Sequence, residues 1–215
     1  VLIILDACRY DIFKQVYEKQ QRNPGQLKKA KTFSKGTKEW MQNNFVDQDC
    51  SDIVYIDPIV MFHQFIPHNT FFKTIMVWED NWDYEYGTIT PEDMTRVALQ
   101  QFKRYPGKRF IVHYHQPHPP YLLEEYKEFG EIDTPEKIQK NIKKKFSFTE
   151  CYQGRMCKSF GYERTWRWLS FLGVEPQSYY GQIYKKYGYK GVIDGYKKNL
   201  ERAYNEVNRL IDKYD

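Results

Sequence analysis

A chain of 215 residues fits one medium domain, residues 1–215, long enough to bury a core without disulfides or a structural metal. Its 41% hydrophobic and 18% aromatic content excludes disorder, and 33 Lys and Arg against 28 Asp and Glu leave +5, which suits an anionic substrate or surface. Cys8, Cys50, Cys151 and Cys157 form no C-x-x-C pair and no zinc-finger spacing, so reduced thiols are the simpler reading, and no apolar run is long enough for a transmembrane segment.

Val1 to Leu5 is a continuous aliphatic run ending abruptly in Asp6, which predicts a parallel strand buried on both faces. Because the chain opens inside that strand, some preceding residues are expected to be missing. Ile12, Phe13, Val16 and Tyr17 share one helical face, and the pattern stops before Asn23-Pro24-Gly25. Residues 26–36 are basic and small. Thr37 to Met41 then reads as a helix start, with Thr37 able to cap and Trp40 and Met41 able to anchor it. Ile53 to Ile56 predicts a second strand, closed by Asp57-Pro58. The aromatic, aperiodic text from about 61 to 89 is expected to be an insertion or lid segment.

Thr90-Pro91-Glu92-Asp93 carries the marks of a helix start: a capping hydroxyl, Pro at the first helical position and an acid three residues after the cap. That helix should reach about Tyr105, before Pro106-Gly107. Phe110 to His113 predicts a third strand, and the prolines after it predict a loop from His113 to Tyr121. Residues 135–145 read as a basic helix ending in Lys143, Lys144 and Lys145. The stretch 146–192, rich in Gly, Tyr and Trp with a cluster at Trp166 and Trp168, is a second expected insertion or lid. Ile193, Tyr196, Leu200, Ala203, Val207, Leu210 and Ile211 trace one face of a long closing helix. Strands alternating with helices predict an α/β fold, with a mainly parallel sheet flanked by helices.

Ligands of such sheets bind beyond the carboxyl ends of the strands, where Asp6 and the His113–His118 segment fall. Read from the residues alone, Asp6 caps the helix that follows, and Thr37 caps the next one. His113 and His115 alternate, so one of them faces the core and the other solvent. His118 stands between prolines and has the stronger claim to function. Ser34 rivals Thr37 as a nucleophile. Arg9 either grips substrate oxygens or pairs with Asp11, Cys8 is a small packed residue, and His63 and His68 belong to a surface or lid.

The run Leu5-Asp6-Ala7-Cys8-Arg9-Tyr10-Asp11, with its D-x-x-R-x-D, resembles the opening of sulfatase-like members of the alkaline phosphatase superfamily. Ser34-Lys-Gly-Thr37-Lys-Glu-Trp40 is similar to their nucleophile segment. Ile111-Val-His113-Tyr-His115-Gln-Pro-His118-Pro-Pro-Tyr121 looks like their H-x-x-x-P-H-x-P-Y element, especially in the archaeal branch. The helices from Thr90 and over Tyr196–Leu210 also fall where the family has helices. The resemblance implies that Asp6 binds a divalent metal (zinc, manganese, magnesium or calcium) and that Thr37 is a nucleophile touching it. His118 and His113 would meet the ester's oxyanion, beside the Arg9 grip that the residues alone allow.

No Cys stands in the formylglycine context of sulfatases, so the implied substrate is a phosphate rather than a sulfate ester, as in members that move phospho-substituents onto glycans and lipids. The family's remaining ligand segments, D-H-G and G-H, do not occur in this sequence. The resemblance places them after a helix like Tyr196–Leu210, so the C-terminal part of the fold is expected to lie beyond Asp215. The alternative is a catalytically incomplete relative that binds a glycan or protein. No nucleic-acid partner is expected, since +5 is modest and a run such as 143–145 is ordinarily a solvated helix face.

Overall fold

The first strand, β1 (Leu2–Asp6), feeds helix α1 (Tyr10–Gln20), and an irregular segment leads to α2 (Thr37–Phe45). Next come β2 (Cys50–Asp57), the single turn α3 (Phe62–Phe65), β3 (Phe71–Met76), the short α4 (Trp78–Asn81), α5 (Pro91–Arg104) and β4 (Arg109–Pro117). A 3-10 turn at Glu124–Tyr126, α6 (Pro135–Asn141) and the long α7 (Tyr179–Tyr214) complete the order. This computed structural model describes residues 1–23, 25–34, 36–129, 133–141, 164–165, 168, 171 and 178–214. Cys151, Cys157, Trp166 and the Lys143–Lys145 run lie outside the described residues.

Among the described residues four strands pair in the order β1-β4-β2-β3, all parallel, and helices cover both faces, as expected of an α/β protein. The alternation of a strand's side chains sorts the sheet into two sides. Val54, Ile56, Val112 and Tyr114 pack with Met94, Val97, Ala98, Val207 and Leu210 under α5 and α7. Ile53, Tyr55 and Ile111 pack with Met41, Phe45, Phe62 and Phe71 under α2 and α3. A third cluster joins Ile12 and Val16 of α1 to Tyr121, Tyr126, Leu200 and Tyr204.

Several sequence expectations are corrected. β1 is an edge strand with only β4 beside it, so Ile3, Ile4 and Leu5 are half-buried and Leu2 is exposed, not covered on both faces. β4 does not stop at His113 but runs to Pro117. Pro117 is tolerated because β2 pairs only with Arg109–Val112, leaving the far end of β4 with β1 as its single neighbour. Residues 61–89, expected as an insertion or lid, supply the edge strand β3. Of 146–192, residues 179–192 belong to α7, and most of the remainder lies outside the described residues.

Other expectations hold. Thr90 caps α5 by accepting the Asp93 N–H at 3.2 Å, with Pro91 following it, and the helix ends at Arg104. In α7, Tyr196, Leu200, Ala203, Val207 and Leu210 are all buried, as their spacing predicts, and the helix is interrupted at Gly188, whose φ is 67°. Gly195 lies where α7 crosses the Tyr121–Tyr126 segment. A Cβ there would stand 2.3 Å from Cδ2 and 2.6 Å from Cε2 of Tyr121, a ring fixed by burial and by its hydroxyl bond to the Val192 carbonyl. Gly195→Ala is therefore expected to destabilise the protein by about 2 kcal/mol despite alanine's better helix propensity, read as a lower urea midpoint at unchanged slope.

Candidate active site at the carboxyl edge of the sheet

β1 and β2 end in carboxylates, and β4 carries two histidines before its end at Pro117. Asp6 lies two residues beyond Ile4, Asp57 two beyond Tyr55 and His113 two beyond Ile111, so parity sends these three to the α2 face, while His115 falls where the β1–β4 register shifts. The first turn of α2 brings Thr37 to the same rim. Its hydroxyl donates to Asp6, with Oγ1 3.2 Å from Oδ1 and 3.3 Å from Oδ2.

The N-cap of α2 is Gly36 and no side chain caps it, so Thr37 is the first helical residue and its oxygen engages Asp6. This corrects the reading of Thr37 as a cap. Asp6 is likewise no helix cap: the N-cap of α1 is Arg9, again without a side-chain bond. The chain turns out of β1 at Ala7, whose φ of 56° is left-handed. Tyr196 latches that turn, donating to the Ala7 carbonyl at 2.9 Å and accepting the Arg9 N–H at 2.7 Å.

A cavity of about 470 Å³ opens here, lined by Asp6, Thr37, His113, Trp40, Ser34 and Thr32 with Ile4, Leu5, Ala7, Cys8 and Gly36. Ser34, the rival nucleophile, shares the cavity, but its hydroxyl accepts from the Asn43 side chain at 3.3 Å while Asp6 engages Thr37. Burial pushes the Cys8 thiol up to about 12, although a hydrogen bond with Tyr196 pulls the other way, so it is no thiolate at neutral pH.

Beneath the cavity lies a buried polar layer. His113 Nδ1 shares a 2.8 Å hydrogen bond with the Tyr55 hydroxyl, and burial, opposed by the Asp6 charge, lowers the imidazole to about 4, so it is neutral at physiological pH. Asp57 is completely buried, and burial raises its carboxyl well above the usual range; the Ile59 amide pulls it down and the Asp6 charge raises it further. Both Asp57 oxygens and Nε2 of His113 lack a hydrogen-bond partner of ordinary geometry among the described residues. Sequence reasoning took Asp57 for the close of a strand. The available signal was the parallel between Leu-Ile-Ile-Leu-Asp6 and Ile-Val-Tyr-Ile-Asp57.

His115 and His118 share one acceptor: the Pro119 carbonyl lies 3.1 Å from Nε2 of His115 and 2.7 Å from Nδ1 of His118. A carbonyl only accepts, so both nitrogens carry protons, and Nε2 of neutral His118 keeps its lone pair. Their rings meet edge-on at 4.7 Å. Burial, then the neighbouring His118, lowers His115 to about 4. His115 is half-buried, and its Nδ1 lacks a partner among the described residues, so neither of the strand histidines simply faces solvent.

Asp6, Thr37 and His113 thus share one cavity. His118 stands at the end of β4 beyond its lining, and Arg9 turns away: its guanidinium grips Asp11 at 3.1 and 2.7 Å on the surface. His63 and His68 stack at 3.9 Å beside α3, also away from the lining.

The implied divalent metal can be weighed against this donor set. The Asp6 carboxylate and the Thr37 hydroxyl are hard oxygens suited to magnesium, manganese, calcium or zinc, and these two residues would hold it. Among the described residues no three of His, Cys, Asp or Glu converge tightly enough to ligate an ion, so these two residues alone would not close a coordination shell. No helix of the described residues is long and apolar enough to cross a membrane. No protein-family model, curated protein or solved structure matches this chain.

Proposed function

We propose that the chain carries the nucleophile-bearing part of a metal-dependent hydrolase or transferase of phosphate esters, related to the sulfatase-like branch of the alkaline phosphatase superfamily. The observation that carries this reading is the Asp6–Thr37 pair, a carboxylate and a hydroxyl joined at 3.2 Å in the mouth of the cavity at the carboxyl edge of a parallel sheet. In the proposed reaction the Thr37 oxygen attacks phosphorus in line, its proton leaving along the hydrogen bond to Asp6. The phosphorus–oxygen bond to the leaving group breaks, and the leaving oxygen departs as an alkoxide that takes a proton from solvent. The phosphoryl group stays on Thr37 until water or an acceptor hydroxyl, giving up its own proton, attacks phosphorus and restores the Thr37 hydroxyl with the proton held by Asp6.

A divalent cation bound by Asp6 and Thr37 would lower the hydroxyl's pKa and neutralise charge on the equatorial oxygens. The first-turn N–H groups of α2, which have no partners within the helix, would add donors for the same anion. Trp40 covers one wall, and His113 supplies a neutral ring beside Asp6. His118, held through Nδ1, is assigned the ester's non-bridging or leaving oxygen, which Nε2 meets as a donor only when the ring is doubly protonated.

The test is release of a chromogenic phenol from an aryl phosphate monoester or diester by the intact protein, with chelator and then with added magnesium, manganese, calcium or zinc. Turnover should need one of these ions, and Asp6→Ala should raise the metal concentration giving half-maximal rate at least about a hundredfold. Turnover indifferent to chelation, or a metal requirement untouched in Asp6→Ala, removes the reading. Absence of turnover with every ion leaves the binding module as its replacement.

A further inference from the structure

The segment joining α1 to α2 has no role in the chemistry above, yet it forms the outer rim of the cavity, to which Thr32 and Ser34 contribute. Residues 25–38 contain five lysines and no Asp or Glu, a charge equal to the formal +5 of the whole chain. Among the described residues Lys28, Lys29, Lys31 and Lys38 are exposed and none forms an ion pair, whereas the flanking Lys19 and Arg22 are paired with Glu201 and Asp212. The described part of the segment has no helix or strand before α2 and is tied near its ends. The Tyr17 hydroxyl bonds both the carbonyl and the N–H of Gly25, at 2.8 and 2.7 Å, and Asn43 donates to Ser34.

Between those ties Phe33 is 85% exposed, with Lys31 over its ring at 5.7 Å. Like charges on a strap without compensating carboxylates call for an anionic partner. A bare Phe among lysines calls in addition for somewhere apolar to place a ring, which a lipid interface offers and a simple soluble polyanion does not.

We propose that residues 25–34 are a docking strap for an anionic lipid surface, which lysines hold by charge and Phe33 by insertion, so that an ester at that surface reaches Thr37. The purpose assigned to docking rests on the reading of Thr37 above; the docking itself does not.

Sedimentation of the intact protein with phosphatidylcholine vesicles, with and without phosphatidylglycerol, tests it. Binding should require the anionic lipid and fall steeply with salt. The combined Lys28→Gln, Lys29→Gln, Lys31→Gln variant should bind about a hundredfold more weakly, and Phe33→Ser roughly tenfold more weakly with the salt dependence kept. Both should melt as the parent does, because the replaced side chains are exposed. Thr37→Ala should bind the vesicles like the parent, so a failed turnover assay beside intact vesicle binding counts against the catalytic reading alone. Equal binding to both vesicle types, or no loss in the triple variant, overturns the proposal. So does displacement by inorganic polyphosphate together with an unaffected Phe33→Ser, which assigns the strap to soluble polyanions.

Discussion

Thr37→Ala is expected to lower metal-dependent turnover of an aryl phosphate or phosphodiester by at least about a thousandfold, while Thr37→Ser stays within roughly tenfold of the parent. The hydroxyl engages Asp6 at the cavity mouth, and serine restores that oxygen without the methyl group. The alternative function for Thr37 is structural, in which the hydroxyl merely satisfies Asp6. That alternative predicts a loss of about 1 kcal/mol of stability and no selective effect on rate. Urea unfolding beside the kinetic assay separates the two. Parent rates in Thr37→Ala would transfer the nucleophile's role to Ser34, which lines the same cavity, or end the covalent mechanism.

Asp57→Asn is expected to stabilise the protein at neutral pH by on the order of 1–3 kcal/mol, because the amide is neutral without the proton that burial forces the native Asp57 carboxyl to hold. The direction with pH follows from linkage. Burial raises the native Asp57 pKa, so the native state keeps a proton that the unfolded chain releases near the ordinary value of 3.8. Its contribution is fully present below that value and is lost as pH rises through the native pKa.

His113 and His115 act in the opposite sense. Their native values are lowered to about 4 from 6.5, so the stability they confer is present above 6.5 and is lost as pH falls toward 4. Stability of the parent should therefore rise gently from pH 4, where two histidines oppose one carboxyl, reach a maximum near pH 6.5 and decline beyond it. Asp57→Asn should rise more steeply and then stay level. Urea midpoints across that range measure both curves, and a parent with no decline above its maximum would show that Asp57 ionises in the native state at its ordinary pH.

What the sequence made legible was what local pattern alone decides. The aliphatic run ending at Asp6, the Thr90-Pro91 start of α5 and the apolar face of α7 each pair a strong period with a boundary signal. β3 was hidden because an edge strand buries little: Phe72 and Lys73 of Phe71–Met76 are exposed, and no alternation survives. The extension of β4 to Pro117 was hidden because its tolerance of proline depends on having one neighbour there, a fact of sheet order.

At the candidate site, Asp6, Thr37 and His113 could be named from their motifs. Asp57 had only the likeness of its strand's ending to that of Asp6, and an Asp before Pro58 reads as a turn until the sheet sets Asp57 near Asp6. The Tyr55–His113 bond was equally out of reach, because it joins residues 58 apart through strand register.

The two-sidedness of the sheet divides labour between chemistry and cohesion. Val54, Ile56, Val112 and Tyr114 alternate with Tyr55, Asp57 and His113 along the same two strands, yet each set meets different helices. Mutational drift in the aliphatic layer under α5 and α7 can thus tune the thermal resilience of the scaffold while the polar layer under α2 keeps its geometry. A one-residue deletion within either strand would exchange the two layers along the part it shifts, turning carboxylate or imidazole into the aliphatic interior.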